Sequence, residues 1–231
     1  NFKSISNEIN FESTKDLEII KNFEHNYIFL NNGKIISTSF AYEEVNKILI
    51  KDFDQNKATN FDSANTLTLL NNALSLGGFS LEVTKNYKLK KPLIIYNYFS
   101  KDLENKILNN KNSIKLNEGS ELTLIDYNNG HAQSNFIKNT VDIVSLDDNA
   151  VLKNILVHES KSNGHFYKYI KGSLESGSNY ENYILSSGLK LNKIEIEINL
   201  NKNDSSCSIY SALNLIDDQH QEIKTRINHN S

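Results

Sequence analysis

Methionine and tryptophan are missing from this chain, and proline and cysteine occur once each. Each scarcity excludes something. A lone Cys207 forms no intramolecular disulfide and no zinc site built on several cysteines, and it fits a reducing compartment. A single proline, Pro92, leaves almost every backbone N–H free to pair in a sheet. No apolar run approaches the roughly 20 residues that cross a bilayer. No basic stretch followed by an apolar segment opens the chain, so no signal peptide is read and a cytoplasmic location is expected. Excess positive charge is lacking too: 25 Lys and Arg stand against 28 Asp and Glu, a net charge of −3. That balance cannot neutralise a phosphate backbone, which argues against nucleic acid as a partner. Asn and Lys are plentiful throughout, and read as genome composition rather than function. The missing Met, the start at Asn1 and the stop at Asn230-Ser231 directly after an alternating run give the expectation of a piece of a longer protein.

The length of 231 residues allows one large or two small domains with a real core. Residues 1–78 read as a mixed α/β region. Tyr27–Leu30, Asn31-Asn-Gly33 and Lys34–Ile36 form a hairpin pattern, because Asn and Gly tolerate the positive φ of tight turns. Tyr42, Val45, Ile48 and Leu49 fall at helical spacing. A second helix follows, capped by Asp62 or Ser63. Leu67, Leu70, Ala73 and Leu74 share its face, and Gly77-Gly78 end it.

From residue 79 to 231 the pattern is mainly β. Nine runs alternate Ile, Leu, Val, Tyr or Phe with polar residues: Phe79–Val83, Leu93–Phe99, Glu121–Tyr127, Thr140–Leu146, Val151–His158, Phe166–Ile170, Leu189–Leu200, Ser208–Leu215 and Glu222–His229. Across them runs an internal repeat. Leu116-Asn-Glu-Gly-Ser120 returns as Leu146-Asp-Asp-Asn-Ala150, as Leu174-Glu-Ser-Gly-Ser178 and more loosely as Leu200-Asn-Lys-Asn-Asp204. The leading leucines are 30, 28 and 26 residues apart. In each copy a leucine ends a strand, a polar turn follows, and a small or short residue opens the next strand. Such a period marks a stacked repeat architecture. Helical repeats do not fit, and a propeller blade needs about 40 or more residues. A β-solenoid with two or three short strands per coil fits best; an antiparallel sandwich of hairpins is the alternative.

Chemistry is harder to find. Gly77-Gly78 lacks the further Gly and Lys-Ser/Thr of a phosphate loop. The six histidines include no compact metal-ligand spacing. His158 and His165 flank the polar loop Glu159–Gly164 and read as solvated, since a metal site needs three or four ligands. In the stretch 219–229, Ile223, Thr225, Ile227 and His229 share one strand face, and Glu222, Lys224 and Arg226 the other. His220 and His229 are thus the weak candidates for a metal site, with His229 at the core margin. Asp147-Asp148 and Asp217-Asp218 are paired acids in turns, where adjacent carboxylates point apart rather than across a sugar. Tyr167, Tyr169, Tyr180, Tyr183 and Tyr210 sit at strand spacing and read as core or sheet cover. Cys207 has only Lys202 nearby to lower its pKa, so it reads as a small turn residue. No catalytic residue is assigned.

Several segments, in order, resemble one family. Asn71-Asn-Ala-Leu-Ser-Leu-Gly-Gly-Phe79 with Leu81-Glu-Val83 and Lys91-Pro-Leu-Ile-Ile95 resembles the entry to the core of the SufB/SufD family of iron–sulfur cluster assembly. Leu116-x-x-Gly-Ser120 with Leu122-Thr-Leu-Ile125 resembles that family's turn and following strand. Asp217-Asp-Gln-His-Gln-Glu-Ile-Lys-Thr-Arg-Ile-Asn-His229 resembles its signature of Gln-His, an acid, a Thr and a closing His, with Glu222 where Asp is commoner. Tyr27–Ser37 resembles the N-terminal segment of the SufD branch. The resemblance implies a right-handed parallel β-helix and a non-catalytic scaffold subunit. By the same resemblance the subunit pairs with a SufB-type paralogue and a SufC-type ABC ATPase. It implies no cofactor in this piece and a transient iron–sulfur cluster on the full complex. The family's C-terminal functional segment would lie past Ser231, so no functional residue is carried over. A carbohydrate-active solenoid, or a structural or adhesin solenoid, remains the alternative.

Overall fold

A computed structural model describes residues 3–4, 22–53, 65–130, 135–158 and 164–230. Within them lie β1 (Lys3–Ser4), β2 (Asn26–Asn31), β3 (Lys34–Ser39), β4 (Ile48–Asp52) and the helix α1 (Thr66–Leu74). The chain continues through β5 (Phe79–Val83), β6 (Leu93–Phe99), β7 (Lys106–Leu116), β8 (Glu121–Gly130) and β9 (Ile137–Leu146). It goes on through β10 (Val151–His158), β11 (His165–Leu174), β12 (Asn179–Ser187), β13 (Leu191–Leu200), β14 (Ser206–Asn214) and β15 (His220–His229).

From β5 onward successive strands go to opposite sheets. The first sheet runs β15-β13-β11-β9-β7-β5-β4, with β1 against β7; the second runs β14-β12-β10-β8-β6-β2-β3. From β5 onward every strand pairs in parallel with the strand two further along. Each coil therefore gives one strand to each sheet, and the whole is a β-solenoid with two strands per coil. The sandwich alternative fails on this point. Antiparallel pairing among the described residues is confined to β2–β3 and β4–β5 at the N-terminal end.

The repeat is explained by one corner of the solenoid. Val83, Leu116, Leu146, Leu174 and Leu200 stand in register at the ends of first-sheet strands, all buried. Three residues after each of the first four, a left-handed residue turns the chain: Asn86, Gly119, Asn149 and Gly177 have φ of 58°, 65°, 58° and 65°. The fourth sequence copy takes one residue more, with Asp204 at φ 60°. Asn and Gly alternate for a reason. A Cβ on Gly119 or Gly177 would lie 2.5 or 2.4 Å from Oδ1 of the Asn one coil earlier. Backbone bonds tie the turns together, Gly119 N–H to the Asp148 carbonyl and Asn149 N–H to the Ser176 carbonyl. Val83–Tyr87 is a further copy, hidden in the sequence because valine replaces leucine and tyrosine the small residue.

Several local expectations are corrected. Residues 41–47 are turns and Ile48–Asp52 is a strand, so the apparent helix at 42–50 does not form. Asn65, not Asp62 or Ser63, caps α1 by accepting from the Leu67 N–H at 2.9 Å; 62 and 63 lie outside the described residues. Beside Leu67, which packs against the cluster of Val141, Tyr167 and Tyr169, the helix docks through polar side chains. Thr68 and Asn71 are buried while Leu74 is exposed. Asn71 Nδ2 donates to the carbonyls of Asn110 and Asn139, and Asn139 Nδ2 donates back to the Leu67 carbonyl. The helix thus satisfies polar groups on the outer surface of β7 and β9, which leucines cannot do. Gly77-Gly78 follow the Ser75 C-cap and serve close approach instead of a helix stop. Gly78 has φ +121°, and a Cβ there would fall 2.0 Å from the Lys111 carbonyl oxygen. Finally, β7 and β12 are strands that the alternation does not reveal, because Asn and Ser occupy so many of their positions.

Candidate functional site

The lumen between the sheets is not uniformly apolar. Near the leucine corner it is filled by aliphatic side chains such as Leu81, Ile114, Val144 and Ile198. Gly172 makes room there, since a Cβ on it would lie 2.5 Å from Ile198 Cδ1. Toward the opposite corner the inward positions turn polar. On β8 the inward series runs Leu122, Leu124, Asp126, Asn128; on β10 it runs Leu152, Asn154, Leu156, His158. On β9 and β11 Lys138, Asp142 and Lys168 also point inward and are buried.

These side chains form a closed ionic cage. Lys168 Nζ lies 2.6 Å from Asp126 Oδ2 on the second sheet and 2.5 Å from Asp142 Oδ2 on the first. Each carboxylate also takes an amide from an earlier coil: Asn97 Nδ2 donates to Asp126 at 2.6 Å and Asn112 Nδ2 to Asp142 at 2.8 Å. Lys138 Nζ donates to Asn128 Oδ1 at 2.5 Å and lies 4.9 and 5.3 Å from the ring centres of Phe99 and Phe166. His158 packs edge-on against Phe166, with ring centres 5.4 Å apart. Phe99, Phe136 and Phe166 then close the cage toward that corner. Two ammonium groups and two carboxylates leave no net charge, which is how the lumen tolerates them.

Electrostatics follow from this enclosure. Burial alone would raise the Asp126 carboxyl, but Lys168 and Lys138 outweigh it and bring its pKa down to about 2. Burial would likewise depress Lys168, yet Asp126 and Asp142 hold it above the ordinary lysine value. Lys138 has weaker compensation, and burial pulls it down to about 8. Burial, with Lys138 beside it, drives His158 down to about 3, so its ring stays neutral. A cavity among Asn110, Thr140, Asp142 and Asn154 adjoins the cage. The buried Thr140 Oγ1 and Asn154 Oδ1, both on residues lining it, have no protein partner, which suits ordered water in that space. The cage pins the two sheets together; with its groups sealed from solvent, it offers no open reaction centre.

His158 therefore corrects the reading of a solvated pair: it is buried, while His165 begins β11 half-buried, and the loop 159–163 lies outside the described residues. The cage escapes a reading of the sequence, though its signal is there: a charged residue on the inward parity of an alternating strand, as Asp126 after Leu122 and Leu124.

The other candidates sit in the last coil. His220 and His229 lie at opposite ends of β15, about 30 Å apart at the usual strand rise. His220 pairs with Leu191, and its N–H donates to the Lys190 carbonyl. His229 takes the next place in the leucine column, opposite Leu200, but is exposed. Cys207 stands opposite Tyr180 at the same corner, half-buried, and burial pushes its thiol up to about 11. Among the described residues no group of three or more His, Cys, Asp or Glu is placed to hold a metal. Asp147-Asp148 and Asp217-Asp218 occupy turns at opposite corners and do not face one another. Among the described residues no helix is long and apolar enough to cross a membrane.

Comparison with known families adds one finding. The family described as "SUF system FeS cluster assembly, SufBD core domain" matches residues 98–231, more than half of the chain. That span starts at the end of β6 and takes in every later coil. No curated protein matches the chain.

Proposed function

We propose, from the premise that this chain belongs to the SufBD core-domain family of the SUF system, that it is a scaffold subunit of iron–sulfur cluster assembly. It takes no catalytic part and works in the cytoplasm, beside a SufB-type paralogue and a SufC-type ABC ATPase. The observation that carries this reading is the family match over the solenoid coils. The N-terminal hairpin β2–β3, with its Asn32-Gly33 turn, supports assignment to the SufD branch. A solenoid suits a scaffold physically. Its stacked coils bury a continuous core, and its flat sheet faces and strand edges supply broad rigid surfaces. The cluster is cargo of the whole complex, and no step of its assembly is assigned to a residue of this chain.

The test is co-expression of the gene product containing this chain with the paralogue and the ATPase from the same genome. Co-elution of all three as one species in size-exclusion chromatography is expected. Separate elution of three folded proteins would remove the reading and return the carbohydrate-active and structural solenoids to first place.

A further inference from the structure

The two lysines of the cage are held differently. Lys168 takes both carboxylates. Lys138 Nζ instead donates to a side-chain amide, Asn128 Oδ1, at 2.5 Å. Asn128 stands on β8 of the second sheet and Lys138 on β9 of the first, ten residues apart in sequence. Both are out of water: Lys138 is 6% exposed and Asn128 3%. The rings of Phe99 and Phe166 wall the lysine head, and Phe136 packs on both, with ring centres 5.2 and 5.6 Å away.

The amide of Asn128 is turned so that its two ends meet different partners. Oδ1 faces Lys138, while Nδ2 donates to Asp126 Oδ1 at 3.1 Å. An amine, an amide carbon and a carboxylate at the amide nitrogen are thus fixed together in an apolar enclosure. A lysine amine desolvated in such a pocket is a nucleophile. Holding it against one carbonyl removes the entropy cost of bringing the two together. Lys138 is faced by Asp126 from β8, Asp142 from its own strand, His158 from β10 and Lys168 from β11. Burial outweighs the two carboxylates and brings it down to about 8, so part of it is neutral amine at neutral pH.

We infer that Lys138 and Asn128 join in an intramolecular isopeptide bond, with Asp126 as the group that takes the lysine's proton. The Lys138 ammonium gives one proton to Asp126, and the free Nζ attacks Asn128 Cγ. A second Nζ proton passes by way of Asp126 to Nδ2. The Cγ–Nδ2 bond breaks, ammonia leaves, and a secondary amide remains. Ammonium, primary amide and carboxylate become secondary amide, ammonia and carboxylic acid, with no change of oxidation state. The enclosure stays neutral, because Asp126 ends protonated and Lys168 keeps Asp142. The adjoining cavity, which Lys138 and Asp126 both line, has room for about one water-sized molecule and so for the departing ammonia. The bond would tie the second sheet to the first at the phenylalanine corner. The inference rests on the cage alone and is independent of the assembly role.

The test is mass spectrometry of the gene product that contains this chain, incubated folded and then digested with chymotrypsin, which cuts after Phe136 and so separates Asn128 from Lys138. Peptide 128–136 should be found joined to the peptide that begins at Ile137, lighter than the sum of the two by water lost at no site and by one ammonia, about 17 Da. The joined species should not form in protein held in urea. Asp126→Ala should lower its yield at least ~10-fold, and Lys138→Arg should abolish it. The result on the unsubstituted protein does not depend on how any variant folds. Separate, unmodified peptides from the folded protein would overturn the inference. So would the same mass loss confined to a succinimide at Asn129-Gly130, or equal joining in urea.

Discussion

Lys168 meets Asp126 inside the solenoid at 2.6 Å, across 42 residues of sequence and from one sheet to the other. The same ammonium holds Asp142 at 2.5 Å, so a single lysine staples three neighbouring coils. Removing it leaves two buried carboxylates facing one another. Lys168→Met should cost about 3–5 kcal/mol in urea denaturation, the usual effect of orphaning a buried charge. Asp126→Asn and Asp142→Asn added to Lys168→Met should recover at least half of that, because the amide oxygens still accept from Asn97 and Asn112. Equal stability of Lys168→Met and the parent chain would show that the cage contributes nothing.

Acid should weaken the fold in two stages. The folded protein holds His158 neutral with a pKa of about 3, against an ordinary 6.5. The unfolded chain therefore binds a proton that the folded chain refuses, and stability falls as pH drops from 6.5 toward 3. The loss is on the order of 4 kcal/mol. Asp126, lowered from 3.8 to about 2, adds a second loss as pH falls through that lower range. Denaturation midpoints between about pH 7 and 4 check the first stage. His158→Leu should flatten that range and leave the decline below it.

Glycines of two kinds should respond differently to alanine. Gly119 turns at φ +65°, and the nearest obstacle to a Cβ is the movable amide of Asn86. Gly119→Ala should cost about 1–2 kcal/mol, the strain of a left-handed residue. At Gly78 the obstacle is the backbone carbonyl of Lys111, 2.0 Å away. Gly78→Ala should cost clearly more than Gly119→Ala, and thermal melts of the pair give the ranking. The reverse order would contradict the close approach of β7 to Gly78.

Cys207 should be a slow thiol. Burial raises it to about 11, so little thiolate exists at neutral pH. Reaction with a disulfide reagent at about pH 7.5 should run at least ~10-fold slower in the folded chain than in urea. Equal rates would mean that the last coil leaves the thiol open.

The solenoid was legible because its corner repeats in one dimension. Leu116, Leu146 and Leu174, each followed three residues on by Gly or Asn, record a turn that must recur for coils to stack. The alternation within β10 and β13 records which side faces in. The β7 and β12 strands escape because Asn109, Asn110, Asn112 and Asn182 mask the apolar rhythm. Asn109 accepts from Asn139 and Asn182 from Asn154 across coils, the Asn110 carbonyl accepts from Asn71 of α1, and Asn112 donates to Asp142, contacts that only stacking creates. The inward parity of Asp126 is legible, but its partners in the cage are not, for the same reason. Asp126, Asp142 and Lys168 are ordinary charged residues until three coils bring them together. The apparent helix at 42–50 fails because β4 gains a sheet partner in β5, and tertiary pairing overrides local spacing.

Iron loading tests the proposed place of this chain in a cluster-assembly complex. The SufB-type and SufC-type proteins should be isolated anaerobically from cells with and without the gene product that contains this chain, and their iron and acid-labile sulfide measured. The two proteins should carry iron and sulfide only when the proposed subunit co-purifies with them. Equal loading in its absence would contradict the scaffold role.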